Sequence, residues 1–250
     1  MTPIHAVLLD AHGTLVELEP PAPLLRRTLA ERHGIAIEHD EARRALIAEI
    51  TYYRAHMHEG TDGASVGDLR VRCAEVLRAE LVGAAPSLAR LSAAEMTAVL
   101  LGSLVFRAFA DVRPMLRAIR GAGIKAVVAS NWDASLEEVL VELGLRSELD
   151  AVVSSGAYGA AKPAPEIFAE ALRRAGVAAD RAVHVGDSLQ EDVVGAQAAG
   201  ITPVLLVRDA DGRAPAELGG DGGVPAGVCV IRSLTELTAL LPVEPRRSGR

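Results

Sequence analysis

Aromatic side chains are scarce in this 250-residue chain: one Trp, three Tyr and three Phe make up 3% of it. The scarcity accompanies an abundance of Ala, Arg, Leu, Gly and Val and reads as a genomic bias in composition rather than a functional one. Cysteine is scarcer still, with only Cys73 and Cys229. No CxxC pair and no Cys/His cluster with zinc spacing exists, so a disulfide framework and a structural zinc site are excluded, and two buried thiols in a reducing compartment are expected. No run approaches the roughly 18 uninterrupted apolar residues that a membrane helix needs. The segment MTPIHAVLLDAHG has no basic stretch ahead of its short apolar run, unlike a secretory signal, so a cytoplasmic location is expected. Concentrated positive charge is also missing. The 33 acids outnumber 26 bases for a net charge of −7, and the arginines are scattered. Nucleic-acid binding, which needs a concentrated basic face, is therefore not expected. The basic RRSGR end reads as a tail.

What is present is a soluble composition, half apolar and about a quarter charged, long enough for one core with an added lobe. Short apolar runs end in polar residues: IHAVLLD (4–10), IKAVVASN (124–131), RAVHVGD (181–187) and ITPVLLV (201–207), with a weaker LDAVVSS (149–155). Runs without polar alternation suit parallel strands buried on both faces. Helical patterns lie between them at 114–123, 135–145, 165–176 and 192–200, several closed by the Gly that favours a helix C-terminus. Strand and helix in alternation predict a doubly wound α/β core.

The alternation fails between about 17 and 108, where APLLRRTLAERHG, EARRALIAEITYYRAH, SVGDLRVRCAEVLRAEL and SAAEMTAVLLGSLVFRAF read as helix after helix with no strand pattern. The expected organisation is a Rossmann-like core of 1–16 and 109–250 and an inserted all-helical lobe of 17–108, seated over the carboxyl ends of the strands, where open α/β sheets bind ligands. RDADGRAPAELGGDGGVPAG (208–227) is expected to form a surface loop, GVCVIRS an edge strand and SLTELTALL a closing helix. In ITYYRAHMHEG, His56 and His58 stand two apart, about 200° around a helix, so they cannot chelate together. Tyr52, Tyr53, Arg54 and Trp132 are either pocket walls or ordinary packing residues.

The polar residues gather at strand ends. Asp10 closes the first run, Ser130 and Asn131 the second, and Asp187 the RAVHVGD run, while Lys162 stands on the loop before PEIF and Asp192 follows in VGDSLQED. In a parallel sheet these ends share one edge. A carboxylate nucleophile, a hydroxyl, a lysine and paired carboxylates fit phosphoryl transfer, with Asp10 and Asp187 able to hold Mg²⁺ and Ser130 and Lys162 able to neutralise phosphoryl oxygens. Glu191 reads as a surface acid.

The segments DAHGTL, ASN, AKP and GDSLQED resemble, in order and at suitable spacing, motifs one to four of the haloacid dehalogenase-like hydrolase superfamily, and the helical insertion resembles the cap of its type I members. The similarity covers 4–207. The resemblance implies roles. Asp10 would be the nucleophile, Thr14 and Ser130 would bind the transferring group with the Asn131 backbone beside them, and Lys162 would offset its charge. Asp187 would ligate Mg²⁺ together with Asp10 and the carbonyl of His12, and Asp192 would support the ion's water shell. Phosphatases of the superfamily carry an acid where this chain has His12, so the imidazole, with a reference pKa of about 6.5, stands in for the proton shuttle or supplies only its carbonyl. Near a dication a neutral imidazole is a better base than acid, which favours substrates with good leaving groups. The implied activity is hydrolysis of a small phosphorylated metabolite. The superfamily's metal-independent 2-haloacid dehalogenases, whose first motif resembles DAYGTL, are the alternative, and a non-catalytic binding protein the third. The sequence names neither the substrate nor the oligomeric state.

Overall fold

The computed structural model describes residues 3–208 and 227–241. Its strands are β1 (Ala6–Leu9), β2 (Val16–Leu18), β3 (Phe106–Ala108), β4 (Lys125–Ser130), β5 (Ala151–Ser154), β6 (Ala182–Gly186), β7 (Thr202–Leu206) and β8 (Cys229–Ile231). Six of them form one sheet in the order β5-β4-β1-β6-β7-β8, every pair parallel. All four residues of β1 and all five of β6 are buried, as the uninterrupted apolar runs require when helices cover both faces. The chain steps outward from β1 to β4 and β5, then returns to the other side of β1 at β6. The direction of winding therefore reverses beside β1, the place where open α/β sheets form their crevice. Register aligns the strand ends there: Leu9 pairs with Val128 on one side and Val185 on the other, and Ser130 pairs with Ser154.

The sheet is sealed by an apolar cluster of Leu8, Val127, Ala129, Val153, Ile167, Phe168 and Ala196. Phe168 is fully buried and comes from helix Pro165–Ala175. That helix starts with Pro at its first position, where no N–H is needed, and ends at Gly176 with φ 69°.

The chain divides into two compact units. One holds the six-stranded sheet and comprises residues up to Glu17, Ala108–Asn131 and the chain from Leu136 on; the other is Leu18–Arg107 with Trp132–Ser135. The second unit is built from helices Pro21–His33, His39–His56, Gly63–Leu81 and Ala93–Ser103, packed through Leu25, Leu29, Leu46, Leu69, Leu77 and Leu100. Three of its helices open with reciprocal capping pairs, Glu38/Glu41, Asp62/Ser65 and Ser92/Glu95, a device worth about 1 kcal/mol per cap.

The expectation of uninterrupted helix to residue 108 is corrected. The last of the four helices ends at Ser103, Leu104 leaves helical geometry at φ −98°, ψ 84°, and Phe106–Ala108 is a strand paired with β2 in a two-stranded sheet. The run AVLLGSLVF is apolar apart from Gly102 and the buried Ser103, so it carries too little periodicity to separate helix from strand. The β-branched Val105 and aromatic Phe106 favour the extended form, and the Val105 carbonyl accepts from the Glu19 N–H at 2.8 Å. The helix expected over 192–200 begins earlier, as a wide π turn at Leu189–Val194 capped by Ser188 Oγ, and continues as Gly195–Ala198. The helix expected over 135–145 spans Leu136–Glu142. β8 is the expected edge strand beside β7, and the closing helix is a 3₁₀ turn, Leu234–Glu236, followed by Leu237–Leu240. Apart from Arg208 and Gly227, the expected loop 208–227 lies outside the described residues, as does the RRSGR end. Among the described residues no helix is long and apolar enough to cross a membrane.

Candidate active site

Strand β1 ends by delivering Asp10 into a tight turn. The Asp10 N–H still donates to the Val185 carbonyl of β6 at 2.9 Å, so the nucleophile candidate is anchored to the sheet at its last rung. Beyond it the Ala11 carbonyl accepts from the N–H groups of Thr14, Leu15 and Val16, and the Gly13 N–H donates to the Val16 carbonyl. Gly13 has φ 77°, and a Cβ there would overlap the Asp187 carboxylate, so both the backbone and the space demand glycine. Gly186 is required for space alone: a Cβ would overlap the Asp192 carboxylate.

Around Asp10 the other strand ends converge. Ser130 Oγ, at the end of β4, donates to Asp10 Oδ1 at 2.8 Å. Lys162 Nζ donates to Asp10 Oδ1 at 2.6 Å and to Asp192 Oδ1 at 2.5 Å, with its side chain 1% exposed. Asp192 is fixed further by His184 Nε2 at 2.8 Å and by the Ser188 N–H, which donates to Oδ2 at 3.0 Å. Asn131 holds the lysine from behind: its Nδ2 donates to the Lys162 carbonyl at 2.9 Å and its Oδ1 accepts from the Lys162 N–H at 2.7 Å. The Asn131 side chain is thus committed to the Lys162 backbone, a contact separate from the role expected of the Asn131 backbone.

The charges are unequal in circumstance. Burial works against the Lys162 ammonium, but Asp10 and Asp192 outweigh it and raise its pKa above the ordinary value. Burial likewise opposes the Asp192 carboxylate, and Lys162 and then His184 reverse the effect and hold its pKa well down. At Asp187 the Lys162 charge is outweighed. The carboxylate keeps an open face to solvent, yet loss of hydration among the surrounding groups and then the charges of Asp10 and Asp192 push its pKa up to about 7. Oxygens of Asp10, Asp187 and Asp192 lie within 4.8 Å of one another. Three crowded hard oxygens, one of them disfavoured as an anion, are the donor set that a small divalent cation relieves. Both oxygens of Asp192 already accept hydrogen bonds, so Asp10 and Asp187 are the freer ligands.

Thr14 is fully buried, and its Oγ1 is buried with no hydrogen-bond partner, the kind of polar orphan that costs roughly 1–3 kcal/mol. His12 is exposed, its backbone bridges to Val16, and its ring does not belong to the acidic cluster. Three participants were not foreseen. His184 sits in the middle of an apolar strand, a polar residue at a position that hydrophobic neighbours mask. Glu191 is half-buried beside Asn131 with its pKa raised, first by burial, and is not a plain surface acid. Arg208 donates to the carbonyls of Gly13 and Thr14.

A parallel sheet that gathers buried Asp10, Ser130, Lys162 and Asp192 at its strand ends, with a mainly helical insertion after the first strand, defines a Rossmann-like hydrolase core. The chain belongs to the haloacid dehalogenase-like hydrolase family, whose model matches residues 4–200. Among named relatives, mouse haloacid dehalogenase-like hydrolase domain-containing protein 3 is 47% identical over 91 residues, 36% of this chain and 36% of that protein. Glyceraldehyde 3-phosphate phosphatase of Methanopyrus kandleri is 41% identical over 101 residues, 40% of this chain and 43% of its own length. These matches thus span less than half the length of either relative. Among solved structures, a phosphatase of the family from Thermococcus onnurineus superposes with TM-score 0.61 and 27% identity over 96% of this chain and 99% of its own. A 2-haloacid dehalogenase from Pseudomonas syringae pv. Tomato gives TM-score 0.61 and 26% identity over 95% and 97%.

Proposed function

We propose that the protein is a Mg²⁺-dependent phosphatase that hydrolyses a small phosphorylated metabolite through an aspartyl-phosphate on Asp10. The observation that carries the reading is the placement of Asp187 within 4.8 Å of Asp10 and Asp192, a cluster of acids that would serve no purpose in displacing halide. Phosphatase relatives in both comparisons support it.

Asp10 Oδ1 is taken by Ser130 and Lys162, which leaves Oδ2 to attack phosphorus. As the Oδ2–P bond forms, the P–O ester bond breaks and the departing alcohol oxygen takes a proton from the His12 imidazolium or from solvent. In the second half, water attacks phosphorus, His12 accepts its proton, inorganic phosphate leaves and the Asp10 carboxylate is regenerated. Lys162 stays charged throughout because Asp192 and Asp10 hold it so, and it faces the negative charge that the transferring group brings. Thr14 Oγ1 and Ser130 bind the transferring group, with Asn131 holding Lys162 in register. Mg²⁺, when bound by the Asp10 and Asp187 carboxylates and the His12 carbonyl, supplies a dication that draws nucleophile and phosphoryl group together and offsets their charge. Asp192 holds Lys162 in place and would support the water shell of the bound ion.

One observation favours a second reading, metal-independent 2-haloacid dehalogenation: the residue after Asp10–Ala11 is His12 rather than an acid, in a segment like that of dehalogenases, one of which shares the fold. A parallel assay decides. Purified protein and Asp10→Asn are offered p-nitrophenyl phosphate and 2-chloropropionate, each with Mg²⁺ and with EDTA. Phosphate release that needs both Mg²⁺ and Asp10 is expected; chloride release indifferent to EDTA would replace the phosphatase reading.

A further inference from the structure

We propose that Arg208 is a positioning residue for the Asp10 turn, its guanidinium gripping the turn's backbone from the end of β7 so that the nucleophile keeps its geometry toward Asp187. As a statement about rate this rests on the phosphatase reading; as a statement about the turn it does not.

Arg208 follows β7 in a stretch whose sequence suggested only a surface loop. Instead its side chain is 19% exposed and fully engaged. Nε donates to the Gly13 carbonyl at 3.2 Å and Nη2 to the Thr14 carbonyl at 2.7 Å. The outer face of the fork makes a bidentate pair with Asp111, Nη1 to Oδ2 at 3.1 Å and Nη2 to Oδ1 at 2.9 Å. The guanidinium carbon lies 3.7 Å from the centre of the Phe109 ring, so one plane is stacked as well. Asp111 is itself held by Ser233 Oγ at 2.9 Å and the Leu234 N–H at 2.8 Å, and Arg208 and those donors keep its pKa down against burial. The grip therefore runs from the turn through Arg208 and Asp111 into the segment after β8.

The turn needs such a grip. Its internal hydrogen bonds use the carbonyls of Ala11, which takes three donors, and of Val16, while those of Gly13 and Thr14 accept from Arg208. Gly13 also lies so near the Asp187 carboxylate that a shift of the turn toward it would press on that side chain. A planar fork that takes two successive carbonyls fixes both position and orientation, which a lysine, as a single point donor, cannot. Arg208 touches no reacting atom in this arrangement; it acts through the backbone of Gly13 and Thr14.

The test compares the 250-residue protein with Arg208→Met, which keeps the stem over Phe109 and removes the fork, and with Arg208→Lys, which keeps the charge beside Asp111. Amide exchange followed by mass spectrometry, thermal melting, and kcat and KM with p-nitrophenyl phosphate are measured on each. The expected result is faster exchange, by roughly tenfold, in the peptide carrying Ala11–Val16. It comes with a kcat lower by about 10- to 100-fold, KM within about threefold, and the larger rate loss in Arg208→Met. A brace that serves stability alone would lower the melting temperature and leave kcat per folded molecule unchanged; that result overturns the proposal, as does wild-type exchange in the turn of both variants. Should Arg208→Met fail to fold, Arg208→Lys carries the comparison alone. If the wild type releases no phosphate at all, the phosphatase reading fails while the exchange measurement still decides the role of Arg208 in the turn.

Discussion

Replacing Lys162 by Met would cost far more stability than the loss of a surface ion pair, and the cost would depend on pH. The ammonium is 1% exposed and donates to two carboxylates at 2.6 and 2.5 Å, one of which, Asp192, has a side chain only 2% exposed. Removing one partner of a buried charge cluster leaves the others uncompensated, at about 3–5 kcal/mol. With about 2–4 °C of melting temperature per kcal/mol for a chain of this size, the shift is roughly 6–20 °C at neutral pH. In the wild type the Asp192 pKa is depressed, so its contribution is present above the ordinary carboxylate range and fades only in strong acid. In Lys162→Met the lysine no longer depresses it and burial pushes the pKa of Asp192 upward; protonation then relieves the penalty, and the gap between variant and wild type narrows as pH falls from 8 to 5. Urea unfolding across that range measures it. Adding Asp192→Asn to the variant removes the stranded charge and is expected to return part of the loss at pH 8. A Lys162→Met protein within about 1 kcal/mol of wild type at pH 8, or a deficit that ignores pH, would refute the claim that these charges depend on one another.

Ser130→Ala removes one of two donors to Asp10 Oδ1, so kcat is expected to fall about 10- to 100-fold while stability falls by about 1–3 kcal/mol, less than for Lys162→Met; a steady-state assay beside a melt reads both. Gly13→Ala forces a Cβ into the Asp187 carboxylate at a φ of 77° and is expected to abolish turnover and destabilise by at least about 1–2 kcal/mol, seen by urea denaturation. Glu49, buried in the helical unit beside Cys73, has its pKa raised from 4.5 to about 6, chiefly by burial. Folded carboxyl above unfolded carboxyl means that stability is greatest below 4.5 and is lost as pH rises through 6, by about 2 kcal/mol for a shift of that size. Glu49→Gln removes that titration, so the variant should gain stability over wild type above pH 6 and converge with it in acid; equal pH slopes in both proteins would count against the assignment.

The sheet and the identity of its polar strand ends were legible because a doubly covered parallel strand leaves a simple mark: an apolar run that stops abruptly at a polar residue. Asp10, Ser130 and Asp187 each stand at such a stop, and register alone brings them together. β3 was illegible for the converse reason. In AVLLGSLVF only Gly102 and Ser103 interrupt the apolar residues, and the strand exists because β2 offers it a partner, information that lies at the other end of the insertion. His184 was hidden by burial among valines, and although Asp192 was read as one of the paired carboxylates, its bond to His184 left no mark in the sequence. The double duty of Asn131, a clamp on Lys162, depends on two loops meeting, and no local pattern encodes that. Arg208 escaped notice because the turn carbonyls it grips lie nearly 200 residues away, and backbone acceptors leave no mark in the sequence.

The central claim is covalent catalysis at Asp10, and trapping the intermediate tests it most directly. Protein mixed with p-nitrophenyl phosphate and Mg²⁺ is quenched with borohydride during turnover, digested and examined by mass spectrometry. An acyl phosphate on Asp10 is reduced to the alcohol, so homoserine is expected at position 10 in the peptide containing LLDAHGTL, and only when substrate is present. Steady release of phosphate with Asp10 left intact, or reduction at another carboxylate, would contradict the account.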